Sequence, residues 1–291
     1  MLPAPVDAYA PFMPLSQILF FPVILKNMKT MFTISIKNAG SSILLSASDE
    51  TEVFAVYGKP YQEGDSIQIQ CGSSPCYAVV QLDQALPPSF VYCTGVFDFP
   101  IPFNEKKFCY PPQSFSGDVH YIHIRKARQE EIASRKNLAL NPCDGHTNTA
   151  LYPHAGANIE TRGESVFAAR NAIDGCIANT CHGNWPFSSW GINKDPKARL
   201  KIDFGRNVVI DELVFYLRAD FPHDAWWTSG TISFSDGSSY TAEFIKTGKA
   251  QSFKIPARTI SWLTVDNLIK AGDPSPFPAL TQIEVWGTDA V

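Results

Sequence analysis

The sequence predicts an all-β chain: two antiparallel β-sandwich (jelly-roll) domains joined by a short helical linker. Three observations carry that expectation. Apolar and polar residues alternate in runs of about five or six, the period at which a strand sends successive side chains to opposite faces. The runs are separated by Gly, Pro, Asn and Asp, the residues that tight β-connections need. Only one short stretch, near the middle of the chain, is rich in helix formers and charge. With 291 residues, 45% of them hydrophobic and 12% aromatic, there is apolar material for two cores.

Residues 1–27 read as an N-terminal extension, because Met28-Lys29-Thr30-Met31 offers an alternative start. The longest apolar run, 18–25, is too short to cross a bilayer and is interrupted by Pro22. No Lys or Arg precedes it and no small-residue cleavage pattern follows, so it does not read as a signal peptide.

Residues 28–126 form the first expected domain. Spans 32–37, 66–70 and 119–124 alternate cleanly, while 52–57 and 77–82 fit more fully buried strands. Gly58, Gly64-Asp65, Gly72 and Pro87-Pro88 supply the breaks. Tyr92, Phe97, Phe99, Phe103, Phe108 and Tyr110 gather around Pro100, Pro102, Pro111 and Pro112. Such a segment builds either a ligand groove or irregular packing against a neighbouring domain.

Residues 127–136 are the linker, expected as a short solvated helix with no wide apolar face. The second domain, 137–291, resumes the strand pattern at 199–204, 208–218, 231–234, 240–244, 253–255, 260–265 and 281–286. Turns are expected at Gly205-Arg206-Asn207 and Asp236-Gly237-Ser238. The long strand-poor stretch 156–195 is where function is expected to concentrate.

Charge narrows the partners. Lys and Arg total 24 against 28 for Asp and Glu, a net charge of -4, so no basic field is present to attract nucleic acid. Seven cysteines cannot all pair. Without an export signal they read as reduced thiols, although Cys71 with Cys76, or Cys176 with Cys181, could close a small loop in an oxidising compartment. A cytoplasmic location follows from the missing signal peptide, and an extracellular one from export by another route. Oligomeric state stays open.

Four segments in order, Asn137-Leu-Ala-Leu-Asn-Pro142, Ala168-Ala-Arg-Asn-Ala-Ile-Asp-Gly175, Leu200-Lys-Ile-Asp-Phe-Gly205 and Ile283-Glu-Val-Trp-Gly287, give residues 137–288 a family likeness. This half of the chain resembles the discoidin, or coagulation factor type C, group of galactose-binding-like β-sandwiches, which includes many family 32-type carbohydrate-binding modules. The resemblance implies a structural calcium ion in the loop of the second segment. It would place Asp174 as the carboxylate, backbone oxygens around Asn171 and Asn179, an oxygen from Thr180, and Glu284 reaching across from the last strand. A hard cation does want six to eight oxygens. The spacing from Asp174 to Thr180 is longer than the family pattern, and Trp follows only at Trp185. The alternative is that Asp174 and Asn171 satisfy turn amides through their own side chains.

A second constellation, Arg218-Ala-Asp220-Phe-Pro-His223-Asp224-Ala-Trp226-Trp227, leaves the sheet directly after an alternating strand. Aromatic rings stack on the C–H faces of a pyranose while Arg, Asp and His bond its hydroxyls. Trp185, Trp190 and His182 could line the same end of the sandwich. The structural alternative places Trp226 or Trp227 in the core and pairs Arg218 with Asp220 or Asp224.

Enzyme signatures are weak. His120 and His123, three apart on a strand, face opposite sides and make a poor metal pair. There is no nucleophile elbow, phosphate-cradling loop or nucleotide fingerprint. The leading expectation is therefore non-catalytic carbohydrate binding at the loop tip of the second domain. An intracellular protein-interaction module comes second, and a glycan-active enzyme using Asp220 or Asp224 third.

Overall fold

The computed structural model describes residues 31–179, 183–219 and 225–290. The N-terminal extension with its apolar run lies outside the described residues, as do Thr180, Cys181, His182, Asp220, His223 and Asp224.

The first unit is built from β1 (Phe32–Lys37), β2 (Ile43–Asp49), β3 (Glu52–Tyr57), β4 (Ser66–Gln70), β5 (Cys76–Gln81), β6 (Ser89–Cys93), β7 (Val96–Pro100) and β8 (His120–Lys126). After the helix α1 (Gln129–Ala133), the chain continues through β9 (Lys136–Asn137), β10 (Leu151–Tyr152), β11 (His154–Ala157) and β12 (Trp190–Gly191). It closes with β13 (Leu200–Leu217), β14 (Trp227–Phe234), β15 (Ser239–Glu243), β16 (Gln251–Lys270) and β17 (Ala279–Asp289). All strand pairings among the described residues are antiparallel. Among those residues no helix is long and apolar enough to cross a membrane.

In the first sandwich a sheet of order β2-β1-β4-β7 packs on one of order β10-β6-β5-β8-β3. The period-2 patterns decide which residues enter the core: Ile34, Ile36, Ile67, Ile69, Val80 and Ile122 are all wholly buried. Two expectations are corrected at the edges. β3 is not buried on both faces; as the edge strand it turns Val53, Ala55 and Tyr57 inward and leaves Phe54 and Val56 exposed. The linker helix is not simply solvated, since Ile132 packs with Ala127 on Val79. That contact covers the outer face of β5, which is why β5 reads as apolar on both sides. The helix is held by Arg125, whose two nitrogens donate to Glu131 at 2.8 and 2.6 Å, and by Glu131 accepting the Arg128 N–H at 2.8 Å.

The second sandwich is a single connected set of strands, β12-β17-β13-β16-β14-β15, with β11 on β13 and β9 on β17. β13 serves two pairings. Its first part, Leu200 to Asp203, lies between β11 and β16, and its second part, Val208 to Leu217, lies between β17 and β16. The expected turn at Gly205-Arg206-Asn207 is therefore a correction: it is a register shift inside one strand of 18 residues. Gly205 sits at φ +65, and a Cβ there would collide with the Tyr152 ring. The turn at Asp236-Gly237-Ser238 does close the β14–β15 hairpin, with Gly237 at φ +85.

The two units are firmly joined. β10 follows the linker in sequence yet pairs with β6 of the first sandwich, Leu151 opposite Cys93. Arg206, at the β13 shift, lies over Tyr77 and Tyr92 at 5.3 and 5.4 Å. Its Nε donates to Asp289 at 2.5 Å, and Lys136 reaches the same carboxylate at 2.8 Å.

Candidate functional site

The end of β13 meets the start of β17, where the Arg218 N–H donates to the Ala279 carbonyl at 2.9 Å, and the end of β16 meets the start of β14, where the Ala271 N–H donates to the Trp226 carbonyl at 3.0 Å. The segment Ala169–Ile173 forms a 3-10 turn, with Ala172 and Ile173 sunk in the core. Asn171 is a clamp: its Nδ2 donates to the Ser165 carbonyl at 2.8 Å and the Ser189 carbonyl at 3.3 Å, and its Oδ1 accepts from Arg170 at 3.1 Å. Arg170 is buried, donating to the carbonyls of Asp144 and Pro142 at 2.8 Å each, with its guanidinium 4.4 Å from the Tyr110 ring centre.

Asp174 accepts the Cys176 N–H at 2.8 Å and has a carboxylate oxygen 4.0 Å from Arg170. Burial pushes its carboxyl up to about 7, against the pull of Arg170 and the Cys176 N–H. Gly175, at φ +87, donates its N–H to Gln282 Oε1 at 3.2 Å. Asn179 Nδ2 donates to Thr281 at 3.2 Å.

Of the oxygen set expected around calcium, Thr180 lies outside the described residues and the two carboxylates are engaged with other groups. Glu284 accepts the Trp286 indole N–H at 2.7 Å, while Gln282, one step earlier on the same strand face, meets Gly175. The charge facing Asp174 is a guanidinium, and among the described residues no three His, Cys, Asp or Glu side chains group to hold a metal. Among the described residues the two carboxylates expected at the ion, Asp174 and Glu284, are each held by other partners, whereas a calcium ion wants six to eight converging oxygens. In this loop Asp174 and Asn171 bond turn amides and carbonyls.

A cavity of about 380 Å³ opens against the first sandwich, lined by Tyr110, Pro111, Pro142, Arg170, Asp174, Ile177 and Trp185. Trp185 is 36% exposed and stands at this cavity. A smaller cleft of about 90 Å³ is lined by Arg162, Gly191, Ile192, Asn193, Arg218 and Phe277. Arg218 is 2% exposed; its Nη1 donates to the Phe187 carbonyl at 2.9 Å, two residues beyond Trp185.

Two expected ring platforms are corrected. Trp190 and Trp227 are core residues, 0% and 1% exposed, with ring centres 6.5 Å apart. The Trp190 indole donates to the Ile159 carbonyl at 3.1 Å. Neither presents a face to a ligand, and Trp226 is half-buried against the same core. Of the expected site residues, the fold brings Trp185 and Asp174 to one cavity and places Arg218 at the smaller cleft. Sequence reasoning passed over Arg170 and Ile177 and assigned Tyr110 only to an aromatic cluster, because only the packing of the two sandwiches brings them together.

No family model matches the sequence, and no curated protein matches it. About half of the chain is similar to carbohydrate-binding modules and lectin domains of solved structure. One is the chitosan-binding module of a chitosanase/glucanase from Paenibacillus sp. IK-5, at 20% identity over 52% of this chain and 99% of that one, with a TM-score of 0.38. Another is the family 32 carbohydrate-binding module of C. perfringens NanJ in complex with galactose, at 16% identity over 45% and 91%, with a TM-score of 0.36. A third is the lectin domain of lectinolysin complexed with Lewis B antigen, at 17% identity over 53% and 97%, with a TM-score of 0.38.

Proposed function

We propose that the protein binds carbohydrate without turning it over, at the loop end of the second sandwich, with Trp185 as the stacking platform. The observation that carries this reading is the half-exposed indole beside a cavity of about 380 Å³ that also holds the Asp174 carboxyl. That volume suits one or two sugar rings, and an aromatic face with a single directional acid is the chemistry that grips a pyranose. Arg218 acts as a positioning residue, fixing the Phe187 backbone and with it the segment that carries Trp185. Asp220, His223, Asp224 and His182 belong to the same proposal and lie outside the described residues.

Binding rather than hydrolysis is favoured because Asp174 is the one carboxylate among the described cavity residues. Glycosidic cleavage ordinarily takes two, about 5 to 10 Å apart. The test is a glycan array followed by titration of the hits. Trp185→Ala should weaken binding at least about tenfold, or ~1.4 kcal/mol, with the fold intact. Undiminished affinity in a folded Trp185→Ala protein would remove the platform, and release of chromophore from a chromogenic glycoside would remove the non-catalytic reading.

A further inference from the structure

Three thiols meet at one end of the first sandwich. Cys76 opens β5 and Cys93 closes β6, and the antiparallel register sets them opposite each other. Both point inward, since Cys76 alternates in phase with the buried Ala78 and Val80, and Cys93 with the buried Val91. Cys71 directly follows β4 and is 2% exposed in the same core. Cys71 and Cys93 belong to one buried cluster and Cys76 packs against it. Cys76 is the one member of the three that is not fully buried.

The neighbourhood separates these sulfurs from the other described cysteines. Interaction with the Cys71 thiol draws both Cys76 and Cys93 below their ordinary value and drives Cys71 upward; of the two lowered thiols only Cys76 is partly exposed. Burial pushes Cys143 up to about 12 and Cys176 up to about 11, and it also raises Cys109. Thiolate character and solvent access, which together govern oxidation, thus coincide at Cys76. Only Gly72-Ser73-Ser74-Pro75 separates it from Cys71, so a bridge between them would close one small loop.

We propose that Cys76 and Cys71 form a reversible redox pair that a peroxide converts to a disulfide. The Cys76 thiolate attacks one peroxide oxygen, breaking the O–O bond and giving a sulfenic acid and hydroxide. The Cys71 thiol then attacks the Cys76 sulfur and displaces the sulfenic oxygen, which leaves as water with the Cys71 proton. Hydroxide is protonated to a second water. Two thiols are oxidised, one hydrogen peroxide is reduced, and a dithiol reverses the step by exchange.

The full chain is treated with hydrogen peroxide, its remaining thiols are alkylated, and chymotryptic peptides are mapped by mass; cleavage after Tyr77 separates Cys76 from Cys93. A bridge that costs the peptide carrying Cys71 and Cys76 two hydrogens, forms at least tenfold faster than Cys109 or Cys143 is consumed, and reverses with dithiothreitol is the expected result. Cys71→Ser should leave a dimedone-reactive sulfenic acid at Cys76. If that variant does not fold, the wild-type time course decides alone. A bridge to Cys93, or Cys76 consumed no faster than Cys109 and Cys143, would overturn the proposal.

Discussion

Replacing Trp190 and Trp227 separately by Phe distinguishes two buried indoles by what their N–H groups do. Both side chains are essentially inaccessible, at 0% and 1% exposure, so each substitution removes the same atoms from the same core. The lost burial and the small void, about 1 to 2 kcal/mol in each case, cancel in the comparison. What remains is hydrogen bonding. Trp190→Phe abandons the 3.1 Å bond and strands the part-buried Ile159 carbonyl, at about 1 kcal/mol. The Trp227 indole nitrogen is buried with no acceptor among the described residues, so Trp227→Phe relieves a desolvated donor and recovers roughly 1 kcal/mol. Trp190→Phe should therefore be less stable than Trp227→Phe by about 2 kcal/mol. Urea unfolding with unchanged m-values measures the difference. Equal losses, or a larger loss for Trp227→Phe, would refute the argument by showing that the Trp227 N–H has a partner.

Arg206→Ala should destabilise the protein by about 3 kcal/mol, because it leaves the buried Asp289 facing only Lys136; thermal melting measures it. His154 is held above its ordinary value of 6.5 by its bond to Asp144, so the proton it retains when folded stabilises the protein fully below pH 6.5. That contribution is lost as pH rises through the raised value. The stability gap between wild type and His154→Gln should therefore shrink from pH 6 to pH 8.5, and a gap that does not change across that range contradicts the assignment. Chelation should leave the melting temperature unchanged, since Arg170 and Gln282 satisfy the loop expected to hold calcium; a rise in melting temperature on adding calcium would reverse that reading.

The sandwich architecture was legible because period-2 alternation is a local signal: Phe32–Lys37 and Ser66–Gln70 turn the residues inward that their spacing indicates. Legibility failed where pairing is irregular. Counting back by twos from Phe234 and Ile232 puts Thr228 inward and Trp227 outward, but the register shifts on either side of Ser229 reverse that phase and bury Trp227. Gly205-Arg206-Asn207 has the composition of a turn, and only the pairing of Asp203 and Val208 with the same strand reveals a bulge. Gln282 and Glu284 share a face, so nothing in the sequence says which one arrives opposite Gly175. The cavity was invisible for a different reason, since Tyr110 and Arg170 are 60 residues apart and meet only when the sandwiches dock.

The pairing of Leu151–Tyr152 with β6 bears on how the chain can be divided. A truncation at residue 137 would strip an edge of its partner, expose the main-chain groups of β6 and invite intermolecular sheet growth. The complementary fragment would carry Arg206 without its aromatic box. The protein should therefore melt in one cooperative transition, and a soluble single-sandwich fragment should be obtainable only if the cut spares the exchanged strand.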